Sequence, residues 1–155
     1  MTIKIIAVGQ HIAEWAQIAT QDYLNRFPRD FRVELREVRT EHRSGQPPAK
    51  LMQAEAERIL NQLDPDDFVI VLDEHGHDKD TQSFARDIAR WRAERLNLAF
   101  IIGGPDGLSP SVKTRANAML RLSSMTLPHA MARVMLAEQI YRAWSILANH
   151  PYHRA

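Results

Sequence analysis

Short apolar runs alternate with longer amphipathic stretches along the whole chain. The apolar run 3–8 ends at Gly9 and predicts a buried strand. Apolar residues then recur at helical spacing from Trp15 to Phe27, until Pro28 ends the pattern. In residues 31–35 apolar and charged side chains alternate instead, which predicts a strand with one solvent-facing side near an edge of the sheet.

The middle of the chain continues this alternation. Residues 39–50 are polar and contain Gly45 and two prolines, which predicts a mobile loop. A helix is expected from about Ala49 to Leu63, and the unbroken apolar run 68–72 predicts a central parallel strand covered on both faces. The charged residues 73–80 are expected to form a loop at the end of that strand.

The last third of the chain predicts the remaining elements. Helical spacing over 84–91 precedes a buried strand at 98–102, and residues 109–117, which open with Ser-Pro, predict a short helix. Residues 120–123 predict the fifth strand, and a final helix is expected over about 128–149. This helix is apolar nearly all round and must be covered on more than one side. In a domain this small, we expect a second copy of the chain to supply part of that cover.

The order of these elements predicts the fold class. Strands and helices alternate throughout, which indicates an α/β fold with a mainly parallel sheet of about five strands and helices on both faces. A chain of 155 residues with 45% hydrophobic composition suits one domain over residues 1–155. Ligands of such sheets bind outside the carboxyl ends of the strands. The loops after Leu72, Ile102 and Ser123 all lie at such ends, so we expect them to form one pocket.

Composition narrows the possible chemistry. The chain has no cysteine, which excludes disulfides, thiolate zinc sites and a cysteine nucleophile. It shows neither a membrane-spanning apolar run nor a signal peptide, so a soluble, cytoplasmic protein is expected. The formal net charge of +1 argues against a protein that coats nucleic acid through charge alone, because such binding scales with the number of neutralised phosphates.

Two segments of the last third could carry chemistry. The turn GGPDG at 103–107 has neither P-loop nor GxGxxG spacing, but its glycines let a flat ligand approach the backbone closely. A tight structural turn explains the same residues. His129 and Arg133 lie four apart and share a face at the start of the last helix. His75 and His77 lie on an expected solvated loop, which does not predict a metal site.

The chain ends with an aromatic, an imidazole and a guanidinium group. Tyr152, His153 and Arg154 follow Pro151, which stiffens the exit from the last helix. Such groups can stack on a nucleobase, exchange a proton and bind phosphate or carbonyl oxygens. Terminal residues are usually frayed. The tail is therefore either a dispensable end or an arm that handles substrate.

Several motifs follow one another in a specific order. They are AVG at 7–9, LDEHG at 72–76, IGGPDGLSP at 102–110, LSSMTLPH at 122–129, RV at 133–134, EQIYRAWSI at 138–146 and the terminal PYHR. In this order they resemble, along essentially the whole chain, the RlmH family of SPOUT-class methyltransferases. Members of that family methylate a pseudouridine in large-subunit (23S) ribosomal RNA.

The resemblance implies features that the residue pattern does not predict. It implies a deep trefoil knot in the C-terminal part, over about 68–155, together with a homodimer and S-adenosylmethionine bound in the knot. General topological rules argue against a knot. The implied cofactor-binding residues are Leu72, Gly103, Gly104, Leu122, Ser123, Ser124, Met125, Thr126 and Leu127.

The resemblance also implies the reaction, which is methylation of the pseudouridine N3 atom. A sulfonium donor needs no metal; it needs the nucleophile held in line at short range with water excluded. Negative charge develops on the carbonyls beside N3, where cationic donors stabilise the transition state. The candidate catalytic residues are His129, Arg133, Arg142, Tyr152, His153 and Arg154, with His153 or His129 as the base.

Two alternatives stay open from the sequence. One is another SPOUT RNA methyltransferase with a different target, against which the PYHR tail argues. The other is a non-enzymatic, ribosome-associated RNA-binding module that has kept the fold. Binding of the cofactor would exclude this second alternative. The small net charge and the lack of an added RNA-binding domain predict that assembled ribosomes, rather than free ribosomal RNA, are the substrate.

Overall fold

The computed structural model describes residues 1–41 and 45–154, and within them the chain forms one five-stranded sheet flanked by helices. The elements in chain order are β1 Thr2–Val8, α1 Glu14–Leu24, β2 Arg32–Val38, α2 Pro48–Leu60, β3 Phe68–Asp78, α3 Thr81–Ala93, β4 Leu98–Ile102, α4 Pro110–Arg115, β5 Ala118–Arg121, α5 His129–Leu147 and a terminal 3₁₀ turn Pro151–Arg154. All strand pairs are parallel, in the order β2-β1-β4-β3-β5. The predicted α/β class is confirmed.

Both faces of the sheet are covered, as the apolar runs predict. On one face, side chains such as Ile5 and Phe100 pack with residues of α3 and α5. On the other face, side chains such as Ile6 and Ile101 pack with residues of α2 and α4. Every residue of β4 is buried, because this strand lies in the middle of the sheet. The alternating strand β2 lies at an edge, which confirms the expectation drawn from its solvent-facing side.

The predicted charged loop at 73–80 is wrong over most of its length, because β3 continues to Asp78. The strand is irregular between Leu72 and His77, after which His77 pairs with Leu120 and Asp78 with Arg121. Two contacts explain the extension. Arg121 Nε donates to Asp78 Oδ1 at 2.7 Å, and a Cβ atom at Gly76 would lie 2.7 Å from the Leu120 backbone. Close approach of β5 therefore supplies the pairing that an apolar pattern does not indicate.

Several predicted boundaries shift by two or three residues. The helix α2 begins at Pro48, so the polar loop is shorter than expected, and residues 42–44 of that loop lie outside the described residues. The strand β5 begins at Ala118 because pairing with β3 begins there, at Ile70. The short helix α4 opens at Pro110 as predicted, but the Ser109 side chain makes no capping bond to its backbone.

The apolar helix α5 is covered largely by the chain itself. It packs against α1 and α3, and residues such as Leu136 and Ile140 are fully buried. Exposed apolar side chains nevertheless remain nearby. Trp15 and Ile18 of α1 are 51% and 62% exposed. The surface that a second copy could cover therefore includes α1 as well as the two ends of α5.

Candidate active site

An open groove lies where β4 and β5 end and where β3 becomes irregular after Leu72. The three strands are parallel and β3 lies between β4 and β5, so the loops after β4 and β5 meet residues 72–75 of β3 at one edge of the sheet. The groove has a volume of about 890 Å³. Its lining includes every residue predicted to bind a cofactor, namely Leu72, Gly103, Gly104, Leu122, Ser123, Ser124, Met125, Thr126 and Leu127.

The glycine-rich turn forms one wall of this groove. The Gly107 N–H donates to the Gly104 carbonyl at 3.0 Å, and Gly107 adopts a left-handed backbone with φ of +81°. A Cβ atom on Gly103 would lie 2.9 Å from the carbonyl carbon of Gly107 and from the Leu108 side chain. The space beside Gly103 is therefore occupied by the turn itself. The structural explanation of this glycine holds whether or not a ligand also approaches the turn.

The loop at residues 122–127 forms the opposite wall. Ser123 Oγ accepts a hydrogen bond of 2.9 Å from the Met125 N–H, which holds the loop in a local turn. Leu122 and Leu127 are half-buried, whereas Met125 is 77% exposed at the groove. The loop thus combines apolar side chains with polar backbone groups at the groove, which suits a ligand that has a flat apolar part and a polar part.

Sequence reasoning missed an ion pair in the groove. Lys113 Nζ lies 3.0 Å from Asp73 Oδ2, and both residues line the groove. Burial alone would raise the pKa of the Asp73 carboxyl, but the hydrogen bond from the His75 N–H and the Lys113 charge lower it overall. The groove therefore contains a carboxylate that stays ionised. The signal in the sequence was its position directly after the apolar run 68–72.

His129 lies in the groove at the start of α5. Its Nδ1 atom is 2.9 Å from the Gly103 carbonyl oxygen, and its Nε2 atom is 3.0 Å from Arg133 Nη2. A guanidinium can only donate, so Nε2 accepts and Nδ1 carries the proton that bonds Gly103. Burial and the neighbouring Arg133 charge lower the pKa of His129. Its ring is therefore neutral, with both nitrogens engaged.

Arg133 is fully buried behind the groove. Its Nη1 atom lies 2.5 Å from Glu37 Oε2, and Nη2 donates to the Gly9 carbonyl at 3.0 Å. With Glu37, it also lines a second cavity of about 370 Å³ between α1 and β2. Glu37 is a further residue that sequence reasoning missed, because nothing in β2 marks one glutamate among the alternating charges.

The terminal tail is packed against its own chain. The Tyr152 hydroxyl lies 3.1 Å from both Tyr23 Oη and Glu138 Oε1, and the Arg142 guanidinium stacks 5.0 Å from the Tyr152 ring centre. Arg142 Nη2 also pairs with Glu138 at 2.7 Å. Burial and the hydrogen bond with Tyr23 raise the pKa of Tyr152. These contacts hold the aromatic ring of the tail in one place.

The other two tail residues differ in their surroundings. His153 Nδ1 lies 2.9 Å from Ser145 Oγ, and the same hydroxyl accepts from the His153 N–H at 3.0 Å. Arg154 is exposed to solvent. The tail therefore presents one free guanidinium beside an anchored imidazole.

The structure separates the predicted catalytic residues into two groups. His129 and Arg133 lie at the first turn of α5, whereas Arg142 and the tail lie towards its other end. His129 and Arg142 are thirteen residues apart on this helix, a distance of about 20 Å at the standard helical rise. Within one chain, the tail residues therefore do not line the groove.

The parallel sheet and the groove at its strand ends define the class of protein, which is an α/β protein of the kind whose ligands bind at the carboxyl edge of the sheet. A family model described as "Predicted SPOUT methyltransferase" matches residues 1–153. The chain therefore belongs to the SPOUT methyltransferase family, which confirms the resemblance seen in the motifs. The trefoil knot remains a prediction from that membership.

Similar proteins agree with this assignment. The chain is 49% identical over 156 residues to "Ribosomal RNA large subunit methyltransferase H" of Bordetella pertussis, covering 100% of both chains. It is also 49% identical to the protein of that name from Polynucleobacter asymbioticus, covering 99% of both.

Solved structures share the fold at much lower sequence identity. A probable methylase family protein from Haemophilus influenzae aligns with a TM-score of 0.58 at 16% identity, over 97% of this chain and 69% of that one. A probable methyltransferase from Bordetella pertussis aligns with a TM-score of 0.57 at 17% identity, over 91% of this chain and 95% of that one. At these identities the likeness shows the fold alone.

Proposed function

We propose that the protein transfers a methyl group from S-adenosylmethionine to N3 of a pseudouridine in large-subunit ribosomal RNA. The observation that carries the proposal is the groove, because one cavity collects every residue expected to bind the cofactor. The ribosomal RNA substrate is supported by full-length similarity to large-subunit methyltransferases. The target atom is supported by the motif resemblance, which includes the PYHR tail.

The groove fits the expected cofactor in size and chemistry. Its volume of about 890 Å³ lies within the range of small-molecule sites. Half-buried leucines at 72, 122 and 127 suit an adenine ring, and the loop backbones offer hydrogen bonds. The ionised Asp73 carboxylate can accept hydrogen bonds from a ribose hydroxyl or an ammonium group.

The residues of the chain would position, shield and stabilise the reacting groups. S-adenosylmethionine, when bound, supplies an electrophilic methyl group on a positively charged sulfur. The walls of the groove hold the acceptor nitrogen in line and exclude water. As N3 loses its proton, charge develops on the adjacent carbonyls, where the Arg142 and Arg154 guanidiniums would stabilise it. His153 is the better base, because both ring nitrogens of His129 are already hydrogen-bonded.

This assignment of roles requires two copies of the chain. Arg142, which stacks on Tyr152 of the tail, lies about 20 Å along α5 from His129 in the groove of its own chain. Two copies with antiparallel α5 helices would place the tail of each beside the groove of the other. The exposed apolar side chains of Trp15, Ile18, Met131 and Leu147 give such an arrangement a surface to bury. We therefore propose a homodimer with two composite sites.

The proposed substrate places the reaction in the cytoplasm, where ribosomes are assembled. No helix in residues 1–41 and 45–154 is long and apolar enough to cross a membrane. The formal charge of +1 supports a substrate that is recognised by shape as well as by charge. Assembled large subunits or whole ribosomes are therefore the expected substrate.

The test is methyl transfer to ribosomes, large subunits and protein-free ribosomal RNA, all from cells that lack the modification. The modified nucleoside is then mapped by mass spectrometry. We expect one N3-methylated pseudouridine on assembled particles. Transfer to a different nucleotide would indicate another SPOUT activity, and a protein that neither binds S-adenosylmethionine nor transfers a methyl group would be a binding module.

A further inference from the structure

The buried Arg133 guanidinium links three strand ends to the groove. Its Nη1 atom contacts Glu37 near the end of β2, and its Nη2 atom contacts the Gly9 carbonyl directly after β1. Through His129 it also reaches Gly103, directly after β4. The strands β2, β1 and β4 are neighbours in the sheet. One side chain thus joins the outer edge of the sheet to the glycine turn.

Burial makes the Glu37 carboxylate essential to this arrangement. Arg133 is 0% exposed, and a buried charge without a counter-charge is strongly destabilising. Its other acceptors, the Gly9 carbonyl and the His129 imidazole, are neutral. Within the described residues its Nε atom has no hydrogen-bond partner at all. The orientation of the guanidinium therefore depends on the charged contact at Nη1.

The orientation of Arg133 in turn decides which ring nitrogen of His129 carries the proton. With Nη2 directed at Nε2, the ring must donate from Nδ1 to the Gly103 carbonyl. If the guanidinium moved away, the ring proton could lie on Nε2, and Nδ1 could then no longer donate a hydrogen bond. The Gly103 carbonyl would then lose the bond that holds it at the groove.

We propose that Glu37 is a positioning residue for methyl transfer, which sets the Gly103 carbonyl in the cofactor groove through Arg133 and His129. This inference rests on the proposed function. Glu37 does not line the groove; it lines the cavity between α1 and β2. The three links measure 2.5, 3.0 and 2.9 Å, so each is a close hydrogen bond. Arg133 likewise acts as a positioning residue.

The first experiment compares Glu37→Ala and Glu37→Gln with the control Glu34→Ala. Glu34 lies on the same strand and pairs with Arg36 at the surface. We expect Glu37→Ala to weaken S-adenosylmethionine binding by at least about tenfold, the factor that 1.4 kcal/mol represents. Glu37→Gln should lose less cofactor affinity, because the amide oxygen can still accept a hydrogen bond from Arg133. The KM for the cofactor should rise while kcat at saturation changes little, and Glu34→Ala should match the wild type.

A double-mutant cycle separates positioning from general stability. If Glu37 acts through His129, then Glu37→Ala should cause no further loss of cofactor affinity in a His129→Ala background. A merely structural role predicts losses that add. Nitrogen NMR of labelled histidine supplies a readout that needs no cofactor. The wild type should show His129 protonated at Nδ1, and Glu37→Ala should shift the proton towards Nε2.

Each outcome either supports or overturns the inference. Unchanged cofactor affinity in a folded Glu37→Ala variant, additive losses in the cycle, or a wild-type His129 protonated at Nε2 would overturn it. If Glu37→Ala does not fold, Glu37→Gln and the wild-type NMR spectrum decide the question. A wild-type protein that binds no S-adenosylmethionine would instead refute the proposed function, while the proton position on His129 would still test the hydrogen-bond chain.

Discussion

The two ends of α5 differ in what the chain provides at each. At the first turn, His129 lies in a groove built by the turn at 103–107, the loop at 122–127 and residues of β3 in the same chain. At the far end, Tyr152 contacts Tyr23 of α1 and both Glu138 and Arg142 of α5. Neither Tyr152 nor Arg142 lines the groove. One end of α5 therefore lies in the groove without the tail groups, and the other end carries the tail groups without a groove of this kind beside them. This difference is the basis of the proposed composite site, in which two chains would each supply one end.

The largest expected effect comes from removing the tail. Truncation after Pro151 should reduce methyl transfer at least about a hundredfold, the scale of losing a well-placed catalytic group. Cofactor affinity should remain, because the groove is formed elsewhere on the chain. Turnover on ribosomes and calorimetry with S-adenosylmethionine measure the two quantities. The double variant with His153→Ala and Arg154→Ala tests the same loss of tail groups without shortening the chain.

Mixing defective chains tests whether the tail acts on a second copy. A truncated chain keeps an intact groove, and a chain altered at Gly103 keeps an intact tail. Mixed dimers should regain part of the wild-type activity, since one of their two sites is complete. A truncated enzyme with near-normal turnover would show that the tail is only an end of the chain.

The glycine turn should give the next largest effect. In Gly103→Ala the new Cβ atom would lie 2.9 Å from the Gly107 backbone, so the turn must shift. We expect cofactor binding to weaken by about 2 kcal/mol, roughly thirtyfold, as for an overpacked site. Gly45→Ala is the control, because nothing lies within 4 Å of the added atom and only its left-handed backbone is strained. Equal affinities in both variants would contradict this placement.

A smaller effect is expected at the proposed interface. Ile140 and most of its neighbours are buried within one chain, so a charge there would test folding rather than association. Ile18→Glu instead alters a side chain that is 62% exposed. We expect dimer dissociation to become easier by about 1 kcal/mol per copy, from lost apolar burial. Sedimentation of the variant against the wild type measures the shift, and a fully active wild-type monomer would exclude the composite site.

The smallest effect should appear on lowering the pH. The pKa of His129 lies below its ordinary value of 6.5, because burial and Arg133 disfavour its charged form. At pH values between the pKa of His129 in the folded chain and 6.5, the unfolded chain binds more protons than the folded chain does. The free energy of unfolding therefore decreases as the pH falls through this window. Urea unfolding at pH 7 and pH 5 measures the loss. His129→Gln should show a smaller loss, and an identical pH dependence would contradict this cause.

The groove could be predicted from the sequence because its parts are local. Each wall is a loop directly after a strand, and parallel strands bring such loops to one edge. The residues of the turn at 103–107 and of the loop at 122–127 therefore follow from motif and position alone. The extension of β3 to Asp78 could not be predicted, since its pairing depends on Arg121 and on the close approach at Gly76.

The apolar periodicity of the sequence determined the order of elements, the parallel sheet and the strand ends at which the groove lies. Only the tertiary structure decided how the charged and hydroxyl-bearing side chains pair over long distances in the sequence. Glu37 and Arg133 are 96 positions apart, and Tyr152 meets Tyr23 across 129 positions. Apolar side chains are buried wherever the pattern repeats, so they can be recognised one segment at a time. A buried charge instead needs a specific partner, and that partner is known only when the folded chain brings the two together.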